Sequence, residues 1–290
     1  MKKLSFLVGA LLLAGAANAQ ISSRAQGDNA SSVMQSGGNS NQATVTQRGA
    51  DNDADIEQVG SRNRATQTQL ETFSGGAADG VASRNSARAE QRGNDNTSTQ
   101  STNGDDNSAT AFQRGNRNTA TQTQKNEQIA PAWFNDARIR QIGDDNTATQ
   151  LQNGDGNLAV SEQSGNRNMS DQKQKSVAVA GSRAYTYQTG DDNKAYQTQD
   201  GVGHTATITQ DGNKNTAVQT QDMGVSNTAL IDQDTNENWA RQSQHGSGNS
   251  AETYQGQSGY GGTGAQAGRQ WSDISQTGNL NSVVVRQDHP

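Results

Sequence analysis

The sequence predicts an all-β fold, a two-walled β-solenoid in which short strands alternate between two facing sheets and stack in the cross-β manner. Three observations predict it. An 11-residue word, Q-x-G-x-x-N-x-A-x-x-x-Q, recurs along the chain, and consecutive copies share a Gln. Within each copy, Asn, Ala and Gln alternate with hydroxyl and charged residues, and one position of the first set is Gln in every second copy. A repeat of fixed period is typical of folds that stack one unit on the next.

The word recurs with the same spelling at eight places. Aligning the chain on the word's Asn and the Gln six residues later gives about 21 rows, from Asn29–Gln35 to Asn281–Gln287, with a degenerate row ending at Gln276. One strand per row and two rows per coil predict about ten coils of 22 residues, or roughly 50 Å of stack at ~4.8 Å per coil. The eight copies close at Gln58, Gln69, Gln124, Gln152, Gln163, Gln199, Gln221 and Gln255.

Each row predicts one strand with an interior and an exterior face. Positions 0, 2, 4 and 6 from the Asn share a face, and they carry Asn, a small Ala, a variable residue and Gln. The positions between them carry mostly Thr, Ser, Asp, Arg, Glu and Lys, which suit solvent. The Gly of the Gln-x-Gly-x-x-Asn link can take the positive φ that a tight arc requires. The predicted turn glycines are Gly49, Gly60, Gly115, Gly143, Gly154, Gly190, Gly212 and Gly246.

The variable interior position separates two walls. It is Gln in every second row from Gln67 to Gln242, while the rows between carry Ala, Ser, Thr or Ile. If consecutive rows lie on opposite walls, one wall presents a ladder of Gln and the other presents small or aliphatic residues. A single-sheet meander would mix the two kinds in neighbouring strands, so the two-walled arrangement is favoured.

The repeated amides predict hydrogen-bonded ladders inside the molecule. Stacked Asn and Gln side chains can hydrogen-bond along a cross-β stack, and interior polar groups need such partners. We therefore expect self-assembly to depend on the row amides, namely Asn52, Gln58, Asn63, Gln69, Asn107, Gln113, Asn118, Gln124, Asn146, Gln152, Asn157, Gln163, Asn193, Gln199, Asn215, Gln221, Asn249 and Gln255.

The chain divides into a leader, a repeat region and a short tail. Lys2 and Lys3 precede an apolar run that ends in Ala17-Asn18-Ala19, so residues 1–19 are predicted as a secretory signal peptide. Residues 20–25 are a short mature N-terminus, 26–287 the solenoid, and 288–290 a tail. Insertions are expected near 70–84, 125–134 and 175–181, each after a row of the Gln wall, and near 256–269, which is either a loop or a decayed row.

Composition excludes several classes of function. Without Lys2 and Lys3 the formal charge is 21 − 29 = −8, so electrostatics gives no reason to expect nucleic-acid binding. No Cys is present, and the three His lack metal-ligand spacing. The Gly-Asp-Asp-Asn turns at 104–107, 143–146 and 190–193 are sparser than the calcium-binding nonapeptide repeat. We expect no metal, no cofactor, no enzyme site and no transmembrane anchor.

The rows resemble the curlin repeat of the curli fibre subunits, the extracellular functional amyloid of bacterial biofilms. The word is that family's signature and covers roughly Gln26 to Gln287, with departures at Ser182, His204 and Thr235. The resemblance implies a secreted subunit that self-assembles into cell-surface adhesive fibres. The partners it implies are an outer-membrane secretion pore, a periplasmic chaperone, and a nucleator or major-subunit counterpart.

Two features leave alternatives open. Thr66/Thr68, Thr99/Ser101 and Thr121/Thr123 form a threonine array like that of ice-binding solenoids, which suggests a soluble binding or ice-interacting protein as the second hypothesis. Unpaired strand edges at the two ends would template another copy. Exposed charges either slow that pairing as gatekeepers or form an ordinary solvated face, and the residues concerned are Asp53, Asp55, Glu57, Arg88, Glu90, Arg138 and Arg140.

Overall fold

Two parallel β-sheets face each other along the whole repeat region. The computed structural model describes residues 7–13, 18–25, 29–70, 84–126, 134–176, 181–256 and 269–287. Sheet A has 12 strands in these ranges, and sheet B has 11. Odd-numbered strands lie in sheet A and even-numbered strands in sheet B, so the chain crosses from one sheet to the other after every strand. Every strand pair is parallel, which confirms the two-walled β-solenoid.

The strands are short, and most span seven residues. Sheet A contains β1 (Leu7–Leu13), β3 (Ala30–Ser36), β5 (Asp53–Val59), β7 (Ser86–Arg92), β9 (Ser108–Arg114), β11 (Asp136–Ile142), β13 (Leu158–Ser164), β15 (Arg183–Thr189), β17 (Thr205–Asp211), β19 (Thr228–Asp234), β21 (Ser250–Gln255) and β23 (Ser282–Gln287). Sheet B contains β2 (Asn18–Ala25), β4 (Gln42–Gly49), β6 (Arg64–Leu70), β8 (Thr97–Asn103), β10 (Thr119–Lys125), β12 (Thr147–Asn153), β14 (Met169–Lys175), β16 (Lys194–Val202), β18 (Thr216–Val225), β20 (Trp239–His245) and β22 (Trp271–Thr277).

Equivalent positions of the rows stack directly on each other. Gln122 lies opposite Gln100 on one side and Gln150 on the other. The pairing of β16 with β18 carries a register shift, between Asp200 and Val202. A constant register keeps identical side chains in contact along the stack, as the ladder prediction requires.

The interior is thin and mixes amides with small apolar residues. Strand β6 shows the pattern: Ala65, Gln67 and Gln69 are fully buried, and the residues between them are partly exposed. The row alanines bring the two sheets close together, and aliphatic side chains cluster where the variable position allows them. One such cluster consists of Ala111, Ala120, Ile139 and Ala148. Apolar burial is therefore local, and amides fill the space between the clusters.

The insertions leave the strand order undisturbed. Strands β6, β10, β14 and β18 belong to sheet B and are each followed by a strand of sheet A, so the insertions after them all fall on links from sheet B to sheet A. Strand β6 pairs directly with β8, and β20 pairs directly with β22. Residues 71–83, for which a loop is predicted, and 257–268, for which a loop or a decayed row is predicted, lie outside the described residues.

Two strands lie in the N-terminal region where no row is predicted. Strand β1 pairs with β3, placing Leu7 opposite Ala30, and β2 pairs with β4, placing Asn18 opposite Gln42. Without β1 and β2, the edges of β3 and β4 would present unpaired backbone groups, which accept any extended segment. Processing after residue 19 stays a prediction. Within the described ranges, no helix is long and apolar enough to span a membrane.

Candidate functional site

Asparagine ladders tie each turn to the next coil. In most rows the Asn Oδ1 accepts the backbone N–H of the equivalent residue one coil later, as Asn118 does from Asn146 at 3.0 Å. The Asn Nδ2 donates to the carbonyl of a turn glycine in that later coil, as Asn118 does to Gly143 at 2.7 Å. The eight turn glycines predicted from the sequence all accept such a bond, from Asn29, Asn41, Asn96, Asn118, Asn135, Asn168, Asn193 and Asn227.

A glutamine ladder runs the length of sheet A without a break. From Gln35 to Gln287, each Nε2 donates to the Oε1 of the next Gln in the C-terminal direction. The same nitrogen usually also donates to a backbone carbonyl of the opposite sheet, as Gln113 does to Thr97 O at 3.0 Å. The 18 amides predicted from the sequence are each no more than 1% exposed. The structure therefore places all of them in the interior between the two sheets.

A second glutamine ladder fills the interior of sheet B. It begins at Gln67, whose Nε2 donates to Gln100 Oε1 at 2.8 Å, and it ends at Gln242. Its first acceptor, Gln67 Oε1, is buried without a partner among the described residues. Its last donor, Gln242 Nε2, instead reaches Thr253 Oγ1 at 3.0 Å. The ladder thus has a polarity, with an acceptor at its N-terminal end and a donor at its C-terminal end.

The strand-end ladder of sheet B is interrupted at Thr102, which the sequence analysis overlooked. Thr102 lies between Gln69 and Gln124 in the register and is fully buried. Its Oγ1 and Gln124 Oε1 have no hydrogen-bond partner among the described residues. The interruption is visible in the sequence, because this row carries Thr six residues after Asn96 where the other rows have Gln.

We expect Thr102→Gln to stabilise the solenoid. A Gln there would donate to Gln124 Oε1 and accept from Gln69 Nε2, and satisfying buried amides is worth about 1 to 2 kcal/mol. The measurement is the urea midpoint of the folded chain followed by circular dichroism. Ser101→Gln, on the outer face of the same strand, is the matched control and should leave the midpoint unchanged. A lower midpoint for Thr102→Gln would contradict the ladder interpretation.

At two positions where another residue replaces the signature Asn, the replacement still accepts the backbone N–H of the next coil. Ser182 Oγ accepts the N–H of His204 at 3.2 Å, where an Asn Oδ1 would otherwise do so. His204 in turn uses Nδ1 to accept the N–H of Asn227 at 3.1 Å. Burial lowers the pKa of His204, so its ring is neutral at pH 7 and can accept. The substitution is tolerated because Nδ1 performs the role of the amide oxygen.

The turns that lead from sheet A to sheet B carry a ladder of alternating charge. The residue just before the first residue of each row has a positive φ in these turns, and from Arg62 onward its charge changes sign from one coil to the next. Arg117 reaches Asp145 at 2.7 Å, and Arg269 reaches Glu237 at 2.8 Å. We call this the charge ladder, and its members are Arg62, Asp95, Arg117, Asp145, Arg167, Asp192, Lys214, Glu237 and Arg269.

The turn carboxylates are engaged by arginine. Asp106, Asp145 and Asp192 of the Gly-Asp-Asp-Asn turns accept from Arg84, Arg117 and Arg167, respectively. The hydrogen bond from Arg117 holds the pKa of Asp145 below its usual value. In the part of the chain that the structure describes, no three His, Asp or Glu residues are grouped as a metal would need. These turns are electrostatic links between coils.

The exposed charges predicted as gatekeepers or solvated face lie away from the ends of the stack. They belong to β5, β7 and β11, which are paired on both sides. On this outer face Arg92 contacts Glu90 at 2.8 Å and Glu57 at 3.6 Å. This placement fits a solvated face and does not guard a terminal edge.

Comparison with known proteins agrees with this geometry. The family model described as curlin associated repeat matches residues 143–174 and 182–212. The matched segments contain β12 to β17, three strands of each sheet. A comparison with the curated proteins finds no match. Residues 143–174 and 182–212 thus carry curlin repeats, and the same word, amide ladders and turn geometry continue on both sides of them.

Proposed function

We propose that this protein is secreted and polymerises end to end into curli-like extracellular fibres that serve adhesion and the biofilm matrix. The observation that supports the proposal most is the pair of glutamine ladders that reach β22 and β23, the outermost described strands of the two sheets. Gln255 Nε2 donates to Gln287 Oε1 at 2.7 Å, and Gln287 is partly exposed in the outermost strand of sheet A. A strand edge with unpaired backbone groups is a template for a further strand.

The partners of the proposal follow from the resemblance to curli subunits. They are further copies of this chain, a nucleator or major-subunit counterpart, an outer-membrane pore and a periplasmic chaperone. The leader at residues 1–19 supplies the route of export. None of the proposed interactions requires a cofactor or a catalytic group.

The ice-interacting alternative receives less support from the outer face of sheet B. Thr66, Thr99, Thr121 and Thr149 lie in register across four neighbouring strands. The column then meets Asp171, which Lys173 contacts at 2.8 Å. A charge pair in the middle of the face interrupts the flat threonine array that ice binding requires.

The test is to incubate purified residues 20–290 at neutral pH. We expect a lag followed by thioflavin-positive, detergent-resistant fibres with the ~4.8 Å spacing of cross-β structure. Addition of preformed fibres should remove the lag. A chain that remains a β-rich monomer at high concentration would contradict the proposal. Thermal hysteresis of ice growth by that monomer would support the alternative instead.

A further inference from the structure

Two consecutive coils are joined by fewer side-chain hydrogen bonds at the turns that lead from sheet B to sheet A. An Asn in these turns can make two bonds to the next coil: Asn227 Oδ1 accepts the N–H of Asn249 at 2.9 Å, and its Nδ2 donates to Gly246 O at 2.8 Å. Ser182 has no amide nitrogen, and His204 Nε2 is buried without a hydrogen-bond partner among the described residues. At these two coils, the acceptor alone replaces the pair of bonds.

The second of these acceptors is a ring nitrogen. His204 Nδ1 accepts the backbone N–H of Asn227 at 3.1 Å, and both residues are fully buried. A neutral imidazole has one acceptor nitrogen and an imidazolium has none, so the neutral ring here carries its proton on Nε2. Protonation would set an N–H on Nδ1 against the N–H of Asn227. We call this contact between His204 and Asn227 the imidazole junction.

The other contacts of the same ladder do not respond to mild acid. They use the amide oxygens of Asn residues and the hydroxyl of Ser182, which keep their acceptors between pH 5 and 8. Among the rows that the structure describes, His204 is the one ladder residue with a titratable side chain. A change of pH in this range therefore acts on one junction of the ladder and leaves its neighbours intact.

Charged side chains face the imidazole junction from the strands on both sides of it. Lys175, Asp200, Asp222 and His245 stand in register at the ends of consecutive strands of sheet B. Lys175 Nζ lies 3.3 Å from Asp200, and His245 Nδ1 lies 3.1 Å from Asp222. On the sheet A side, Arg183 is exposed on the outer face of β15. The two carboxylates are thus neighbours across the junction, where they attract a cation.

Burial decides the sign of the pH dependence. It lowers the pKa of His204, while the carboxylates of Asp200 and Asp222 act in the opposite direction. The unfolded ring takes up its proton near pH 6.5, and the buried ring takes it up only at lower pH. The stability that the junction contributes is therefore complete above about pH 6.5 and is lost as the pH falls towards the pKa of the buried ring.

We propose that the imidazole junction is an acid-sensitive switch, which holds β16 and β17 to the next coil at pH 7 and opens when His204 is protonated. In the open form, the imidazolium is attracted by Asp200 and Asp222 and no longer occupies the ladder. The amide junctions on either side stay closed. The switch belongs to the folded chain itself and operates whether or not copies assemble, so it stands or falls separately from the proposed function.

Hydrogen exchange of the folded full-length chain, followed by mass spectrometry between pH 7.5 and 5, tests the switch. The protection factor of the turn that contains Asn227 should fall below about pH 6.5, by up to about tenfold per pH unit for one proton taken up. The equivalent turn at Asn249, whose acceptor is an amide, should keep its protection. Equal pH dependence at the two turns would overturn the proposal.

Two variants make the comparison specific. His204→Asn restores the amide acceptor of the other rows, so the protection of Asn227 should no longer fall in acid. His245→Asn removes a histidine that is about half exposed at the end of β20 and should leave the fall unchanged. A fall that persists in His204→Asn would overturn the proposal.

One nearby carboxyl titrates in the same range with the opposite effect. Burial, with Asp232 and Asp211 nearby, raises the pKa of Asp234 to about 6, so its protonation stabilises the folded chain as the pH falls. This contribution is common to the unmodified chain and both histidine variants. The difference between the unmodified chain and His204→Asn therefore reports the imidazole junction alone.

Nitrogen NMR of the imidazole rings gives a second measurement. At pH 7 the His204 ring should show a proton on Nε2 and a free Nδ1, and it should titrate below pH 6.5. Asp222→Asn removes one attracting carboxylate and should move that titration to still lower pH. A proton on Nδ1 at pH 7, a titration at or above pH 6.5, or no movement in Asp222→Asn would contradict the switch as proposed.

Discussion

Gly115→Ala is expected to lower the stability of the solenoid by about 3 to 5 kcal/mol, at the upper end of single-substitution effects. A Cβ on Gly115 would overlap the carbonyl oxygen of Gly143, the turn glycine of the next coil. Gly115 also has φ +123°, a region that residues with a side chain rarely adopt. The neighbour cannot retreat, because Gly143 O already accepts from Asn118 Nδ2. The urea midpoint of the folded chain measures the effect.

Gly278→Ala is the matched control for this expectation. Gly278 has φ +105°, but the nearest atom to its added Cβ is Asn281 Nδ2 at 3.7 Å. The control should therefore lose only the stability that a positive φ costs an Ala residue, about 1 to 2 kcal/mol. It involves no steric overlap with a neighbouring coil. Equal midpoints for the two variants would show that close contact between turn glycines does not hold the coils together.

Asn118→Ala should have the next largest effect and lower the free energy of unfolding by about 3 kcal/mol. Asn118 Oδ1 accepts from the backbone N–H of Asn146, and without it this buried donor has no replacement. Gln122→Leu should cost less, about 1 to 2 kcal/mol, because leucine fills the same space and the chain already carries aliphatic residues at this position. What it removes is the donation from Gln122 Nε2 to Gln150 Oε1 and to Thr110 O, together with the bond that Gln122 Oε1 accepts from Gln100 Nε2.

The two substitutions together test the ladder as a whole. We expect the double variant to form fibres slowly and to lose detergent resistance, with circular dichroism and seeded elongation as the measurements. Thr121→Ala, on the outer face of the same strand, is the control and should change neither. If the double variant assembled at the unmodified rate and stability, the amides would not be the organising contacts.

The two walls were predictable because their signal is repeated. The alternation of Gln67, Gln100 and Gln122 with aliphatic or small residues in the rows between them favoured an arrangement in which consecutive rows face each other, as the two sheets do. Burial followed from strand geometry, since every second residue of a strand points to the same side. Because few residue types were involved and the register was constant, an error in assigning one row did not affect the assignment of the next.

The details that escaped prediction depend on single residues or on geometry. Thr102 breaks a ladder that seven Gln–Gln hydrogen bonds maintain elsewhere in the described part of sheet B, and a single substitution is easily overlooked in so regular a pattern. The role of His204 Nδ1 required knowing which way the ring points. The pairing of β1 with β3 depends on an open edge, which periodicity does not reveal. Such details depend on three-dimensional contacts, which the repeat pattern of the sequence does not specify.

The charge ladder could have been found from the sequence but was not. Its residues lie in the linking turns, just before the first residue of each row, and they alternate only when the turns from sheet A to sheet B are considered separately. The wall assignment therefore had to come first. Each exposed pair contributes little on its own, from zero to about 1 kcal/mol.

The charge ladder has a consequence for how such a chain can change its length during evolution. Its sign reverses with every coil, so its period is two coils, or four rows, the same interval at which the insertions after β6, β10, β14 and β18 recur. Gain or loss of four rows leaves opposite charges adjacent along the edge. Gain or loss of two rows would set arginine beside arginine, or aspartate beside aspartate. Electrostatics thus favours growth by whole four-row blocks.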